Sequence, residues 1–167
     1  MGEVADIVNS GVTVIKLMAN HASVQTVQGG YANGFPAGFD GQGLSGGQFK
    51  AVGKRWKQDS AWYDFTTVDM DFTVKMHWMW GASIHGAGHY IDHITVTLDV
   101  DYLPLDQTVD VTANFPTHGS RLGTEDNVIA AMPFEISVQM NYFLGQLVGW
   151  RRSLDCLVQG DGNWQMG

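Results

Sequence analysis

The chain has 167 residues, 44% of them hydrophobic and 16% charged, with a formal net charge of −8. That length and balance suit a single globular domain over 1–167 and exclude a disordered chain. The acidity argues against a nucleic-acid partner and against electrostatic docking on anionic lipid, because the sequence offers no basic patch to meet phosphates. Lipid membranes with uncharged head groups, or glycans, stay open as partners. The lone cysteine, Cys156, excludes an internal disulfide framework. Glu3 and Asp6 stand where a secretory signal would be basic and then apolar. No apolar run approaches the roughly 18 residues of a spanning helix. The expectation is a chain made in soluble form in a reducing compartment, with no visible signal peptide, so that any release outside the cell would use another route.

Residues 3–20 read as an amphipathic helix. Val4, Ile7, Val8, Gly11, Val12, Val14, Ile15, Met18 and Ala19 gather on an arc of roughly 160°. Glu3, Asp6, Asn9, Ser10, Thr13, Lys16 and Asn20 face the other way, and Leu17 is the misfit. Gly11 and the β-branched residues weaken this helix, so it needs a surface to lie on. That surface is the chain's own sheet, a neighbouring subunit or a membrane.

Residues 29–48 are glycine-rich, with eight Gly in twenty positions. They lack the Lys-Ser/Thr ending of a phosphate-binding loop and read as a flexible join. Tyr31, Phe35 and Phe39 punctuate them, close to Asn33 and Asp40. Residues 49–67 mix Trp56, Trp62, Tyr63 and Phe65 with Lys54, Arg55 and Lys57, and suggest one or two strands with a turn at 58–60. This mixture fits an interfacial patch or a half-buried edge with snorkelling lysines.

From residue 68 onward the pattern is a strict alternation. Val68, Met70, Phe72, Val74, Met76, Trp78 and Trp80 occupy every second place, which defines a strand with one apolar face. At about 3.3 Å per residue it spans roughly 43 Å. A strand at 90–102 turns Ile94, Val96, Leu98, Val100 and Tyr102 inward. A strand at 108–115 turns Val109, Val111, Ala113 and Phe115 inward. Their opposite parity suggests a hairpin with Tyr102 against Val109 and Leu98 against Ala113, closed by a turn at 104–107. Residues 116–131 read as a long polar crossing loop. Strands at 134–144 and 150–158 then share even parity, so a second hairpin would set Val138 against Leu154 and Ile136 against Cys156. Cys156 faces the core on this register, and Arg152 becomes an inward charge whose head reaches water near the hairpin end.

Alternating strands, short turns and one crossing connection indicate an all-β fold. The reading is a two-layer antiparallel β-sandwich over 49–167 carrying the N-terminal helix, with a closed β-barrel as the other solution.

No catalytic motif stands out, and the chain reads as non-enzymatic. His85, His89 and His93 lie four apart. On a strand that spacing separates neighbours by about 13 Å, too far for one zinc ion without a bend. Asp99, Asp101, Asp106 and Asp110 cluster in sequence without calcium-loop spacing. No cofactor or metal is assigned, with calcium or zinc the weak alternatives and a metal-dependent enzyme on His85 and His93 the third class of function.

An amphipathic start (VADIVNSGVTVIKLMA), a flexible join and an aromatic-rich β-body resemble the organisation of the actinoporin-type small cytolysins. The resemblance implies a pore-forming, membrane-binding protein that assembles as a homo-oligomer. Its inserting face would be Val4, Ile7, Val8, Ile15 and Met18, with Trp56, Trp62 and Tyr63 as lipid contacts. The alternative is a lectin-like or self-assembling recognition module. There Tyr31, Phe35 and Phe39 supply stacking surfaces, and Asn33 and Asp40 supply hydrogen bonds.

Overall fold

The structure, a computed structural model, describes residues 7–8, 14–21, 23–36, 38–62, 65–142 and 150–167; at 7–8, 59–62, 65–69 and 142 it describes the backbone alone. The strands are β1 (Ile7–Val8), β2 (Val14–Ala19), β3 (Val24–Gln28), β4 (Ala32–Pro36), β5 (Leu44–Ser45), β6 (Gln48–Trp62) and β7 (Phe65–Ile84). They continue with β8 (Ala87–Tyr102), β9 (Gln107–Asn114), β10 (Ser120–Thr124), β11 (Asn127–Tyr142), β12 (Arg151–Gln159) and β13 (Trp164–Met166). The described residues contain no helix.

One arm of the fold runs β6–β7–β8–β4–β1, with β5 on the far end of β7. The other runs β3–β2–β9–β11–β12–β13, with β10 following β9 along β11. Pairing is antiparallel throughout except for one parallel bridge, Ile129 to His89, which joins the arms. The sheet thereby curls into an open half-barrel. Gly160 completes the join: its N–H donates to the Ala130 carbonyl at 2.8 Å, and its carbonyl accepts from Gly81 N–H at 2.9 Å.

A single apolar core fills the curl. Phe72, Val74, Met76 and Trp78 of β7 are fully buried, and so are Met132, Ile136, Val138 and Met140 of β11. They meet Ile94 of β8, Val109 and Ala113 of β9, and Val158 of β12, all likewise fully buried. Alternation is thus what the core selects on. One bulge changes phase. Asp92 pairs with Met79 and Thr95 with His77, so His93 and Ile94 share one position opposite Trp78. His93 takes φ 58°, which lets both Ile91 and Ile94 point inward with no exposed area.

The expected helix at 3–20 is corrected by β2. Val14–Ala19 is a strand between β3 and β9, with Ile15, Leu17 and Ala19 buried. Leu17 did not fit a helical stripe but fits a period of two. β-Branched residues favour that choice, and the edge of β9 supplies the hydrogen bonds. Ile7 and Val8 pair with Pro36 and Phe35; the rest of the predicted helix before Val14 lies outside the described residues.

Further corrections share one cause: parity tells which face a residue takes, not which strand it pairs with. The 90–102 and 108–115 strands do not form a hairpin. β8 pairs with β7 and β4, whereas β9 crosses to the other arm between β11 and β2. Their turn is closed by Gln107 N–H donating to Pro104 O at 3.2 Å, so Pro104 opens it. Tyr102 sits opposite Asp71 and is 42% exposed, because the β7–β8 register shifts there. The 58–60 turn is a bulge within β6, between Gln58 and Asp59. The polar stretch at 116–131 holds β10 and the start of β11. The glycine-rich 29–48 segment contributes β4, buried from Ala32 to Phe35, and β5. The last hairpin exists with even parity but is shifted by two: Val138 pairs with Arg152, Ile136 with Leu154 and Phe134 with Cys156.

Cys156 does face the core, 4% exposed, and burial pushes its thiol up to about 12. A buried thiol is a poor nucleophile because the thiolate is what reacts. In the native protein Cys156 is expected to stay unlabelled by an aromatic disulfide reagent at pH 8. The same reagent should label it fully in denaturant, and rapid native labelling would place it elsewhere.

The outward face of β6, β7 and β8 carries the polar ladder. Arg55 grips Asp71 with two charge-assisted bonds, Nε to Oδ1 at 2.7 Å and Nη2 to Oδ2 at 2.5 Å. Lys75 pairs with Asp99 on the same face. The Arg55 hydrogen bonds hold the Asp71 carboxyl below its ordinary value, against the opposing effect of burial. A lowered folded pKa stabilises the fold above the ordinary carboxylate value, and that contribution is lost as pH falls through the lowered one. Urea midpoints are therefore expected to drop as pH falls from 5 toward 2. Asp71→Asn should flatten part of that slope, and an identical slope in the variant would remove Asp71 as its source.

Candidate binding cleft

β6 and β12 are the strands whose edges flank one opening of the half-barrel. Among the described residues, β6 pairs only with β7. β12 pairs with β11 on one side and with β13 only from Cys156 to Val158 on the other. The inward parity of both strands turns polar toward this opening. On β6 it reads Val52, Lys54, Trp56, Gln58; across the opening it reads Val158, Cys156, Leu154, Arg152, Trp150. Apolar side chains hold the strands to the core, and the polar ones border the gap.

The result is a cleft of about 270 Å³ lined by Trp56, Gln58, Met70, Trp150 and Arg152. Its rings are ordered by contact. Trp56 stacks on the buried Phe72 at 5.4 Å between centroids, Phe72 lies 6.4 Å from Trp150 at 15° between planes, and Trp56 and Trp150 are 6.4 Å apart. Both tryptophans remain half-buried, so each keeps a solvent-facing portion. The Arg152 guanidinium lies 5.8 Å from the Trp150 ring centroid, within cation–π range. Its Nη1 donates to the Arg151 carbonyl at 3.2 Å, which orients the fork. An aromatic floor flanked by an amide and a guanidinium can stack a flat apolar face and bond its polar rim. Its described lining residues include no nucleophile–base pair.

Two other hollows are larger and chemically blander. One, about 350 Å³, lies between β3 and β8 and is lined by Ile15, Leu17, Val24 and glycine backbone, without a charged side chain. The other, about 510 Å³, lies over Phe115, Phe134 and Cys156, with Glu135 and Asp155 at its rim.

The remaining sequence candidates are dispersed. Asn33 and Phe35 are buried in β4, at 5% and 9% exposure. Phe35 packs on Phe39 at 5.0 Å and Tyr90 at 6.5 Å as part of the core wall. Asp40 caps its own loop by accepting from Gln42 N–H at 2.9 Å. Tyr31 is exposed and stacks on His93 at 3.7 Å. Ile15 is buried and Met18 half-buried on β2. Val4 and Tyr63 lie outside the described residues, as do the side chains of Ile7, Val8 and Trp62. The His85 ring lies against Gly43, and the His93 ring stacks on Tyr31. Asp99 pairs with Lys75, and Asp110 accepts from Asn141 Nδ2 at 2.6 Å. Among the described residues no group of three or more His, Cys, Asp or Glu could hold a metal.

Of the residues that line this cleft, the sequence pattern singles out Trp56 as a candidate but not Trp150 or Gln58. The signal was present: an arginine on the core parity of one edge strand, and Lys54 with Gln58 on the core parity of another. Only the fold reveals that these two irregularities face each other. The chain matches no protein-family model, no curated protein and no solved structure.

Proposed function

We propose that this chain is a non-enzymatic recognition module that binds a carbohydrate in the cleft floored by Trp56 and Trp150. The observation that carries the reading is the three-ring stack of Trp56, Phe72 and Trp150, bordered by Gln58 and Arg152. Sugar rings offer an apolar C–H face and a polar rim, and half-exposed indoles beside planar hydrogen-bonding groups complement both. The volume of about 270 Å³ suits a short stretch of glycan better than a large cofactor.

The membrane reading keeps Trp56 as a lipid contact but loses the strand residues Ile15 and Met18 as an inserting helical face. It stands as the second reading because tryptophans next to basic residues also suit a membrane interface. Calorimetric titration against a glycan panel, alongside flotation with phosphatidylcholine–sphingomyelin vesicles, separates the two. Glycan binding that Trp150→Ala weakens by about tenfold or more is the expected result, the order of one lost stacking contact. Vesicle binding with no glycan binding would transfer the cleft to lipid, and neither would overturn both readings.

A further inference from the structure

The cations of this acidic chain are unevenly placed. Lys50, Lys54, Arg55 and Lys57 lie on β6, and Arg151 and Arg152 on β12. These are six of the nine Lys and Arg residues in a protein of net charge −8. The two strands carry one acid each, Asp59 and Asp155. The strands that border the aromatic cleft are therefore the basic part of an otherwise acidic molecule.

Several of these cations are already engaged. Arg55 is held by Asp71, Lys50 Nζ donates to the Gly162 carbonyl at 3.2 Å, and Arg151 Nε donates to Ser137 Oγ at 2.9 Å. Arg152 and Lys54 make no ion pair among the described residues. Arg152 lines the cleft itself. Lys54 sits on the same face of β6 as Trp56, about 7 Å along the strand.

Resting on the carbohydrate reading above, we infer that the cleft selects a sugar bearing a single carboxylate, a uronic acid unit, over its neutral counterpart. The ring stacks on the floor that Trp56 and Trp150 form, and the carboxylate meets the planar fork of Arg152, with Lys54 adding positive charge farther along β6. A guanidinium fork matches a carboxylate with two parallel bonds, a geometry that a neutral hydroxymethyl group cannot return. The same charge distribution disfavours densely sulfated chains. They carry several charges on each sugar where a uronate chain carries one, so the protein's acidic remainder repels them more strongly within the screening length of about 8–10 Å.

Three oligosaccharide probes of equal length test this by calorimetry at 0.15 M salt: oligogalacturonate, its methyl-esterified form and heparin fragments. The expected result is binding of oligogalacturonate about tenfold tighter than its ester, the scale of one charge-assisted bond pair. Arg152→Gln should erase the preference for acid over ester, and Trp150→Ala should weaken both probes. Equal binding of acid and ester, unaffected by Arg152→Gln, overturns the charge selection and leaves the carbohydrate reading in place. Stronger binding of heparin than of oligogalacturonate overturns it as well, in favour of a polyanion surface. Absence of binding by all probes overturns the inference; the wider glycan panel then decides the carbohydrate reading separately. Far-ultraviolet circular dichroism of each variant confirms that the fold is kept.

Discussion

Phe72→Ala is expected to lower unfolding free energy by about 3–5 kcal/mol, the range for deleting a buried phenylalanine. Phe72 has no exposed area and stands under both cleft tryptophans, at 5.4 Å from Trp56 and 6.4 Å from Trp150. Its removal leaves a cavity that long paired strands cannot close, because β7 is hydrogen-bonded on both edges. The tryptophans above it lose their support, so intrinsic fluorescence of the folded variant should shift to the red. Urea unfolding followed by circular dichroism measures the first effect. A loss below about 1 kcal/mol would mean that Phe72 is not the packed floor of the cleft.

The second large effect is predicted at a residue without a side chain. A Cβ on Gly160 would overlap the His89 backbone carbonyl and stand 3.1 Å from the Tyr90 nitrogen. Its neighbours are main chain and cannot rotate away. The same residue bonds Ala130 and Gly81, so displacing it would break the join between the two arms. Gly160→Ala is expected to cost about 3 kcal/mol, at the upper end of ordinary overpacking. Gly162→Ala, which meets the Trp80 ring at 3.1 Å with φ 92°, makes a useful comparison. There a side chain can move, so part of the cost is backbone strain alone. Amide exchange in β8 and β11 should rise selectively in the Gly160 variant. Unchanged thermal unfolding would show that the arms are not joined at this residue.

The two effects also separate stability from recognition. Trp150→Ala trims a half-buried ring and is aimed at binding, whereas Phe72→Ala and Gly160→Ala act on the fold. A ligand that binds only the native state raises the unfolding midpoint by mass action. Oligogalacturonate should therefore protect the wild type and fail to protect the Trp150 variant.

Much of the fold was written in the sequence as parity. Met70 to Trp78, Val109 to Phe115, Ile136 to Met140 and Leu154 to Val158 take the inward faces that alternation assigns them. That information is local, because a strand's two faces follow from backbone geometry alone. The inward Cys156 follows by the same logic, and so does the all-β class.

Tertiary structure decided what parity leaves degenerate. Val14–Ala19 carries apolar residues that satisfy a helical stripe and a strand face nearly equally, and the open edge of β9 settled it as a strand. The opposite parities of β8 and β9 allow either pairing or facing across the core, and the second was adopted. The bulge at His93 and the close approach at Gly160 leave no distinctive residue pattern, since each depends on a neighbour far along the chain. The cleft belongs to the same class. Trp56 and Trp150 are 94 positions apart, and only the curling of the sheet sets them 6.4 Å from each other. Composition could announce aromatics and cations, but which of them share a surface is a property of how the strands close.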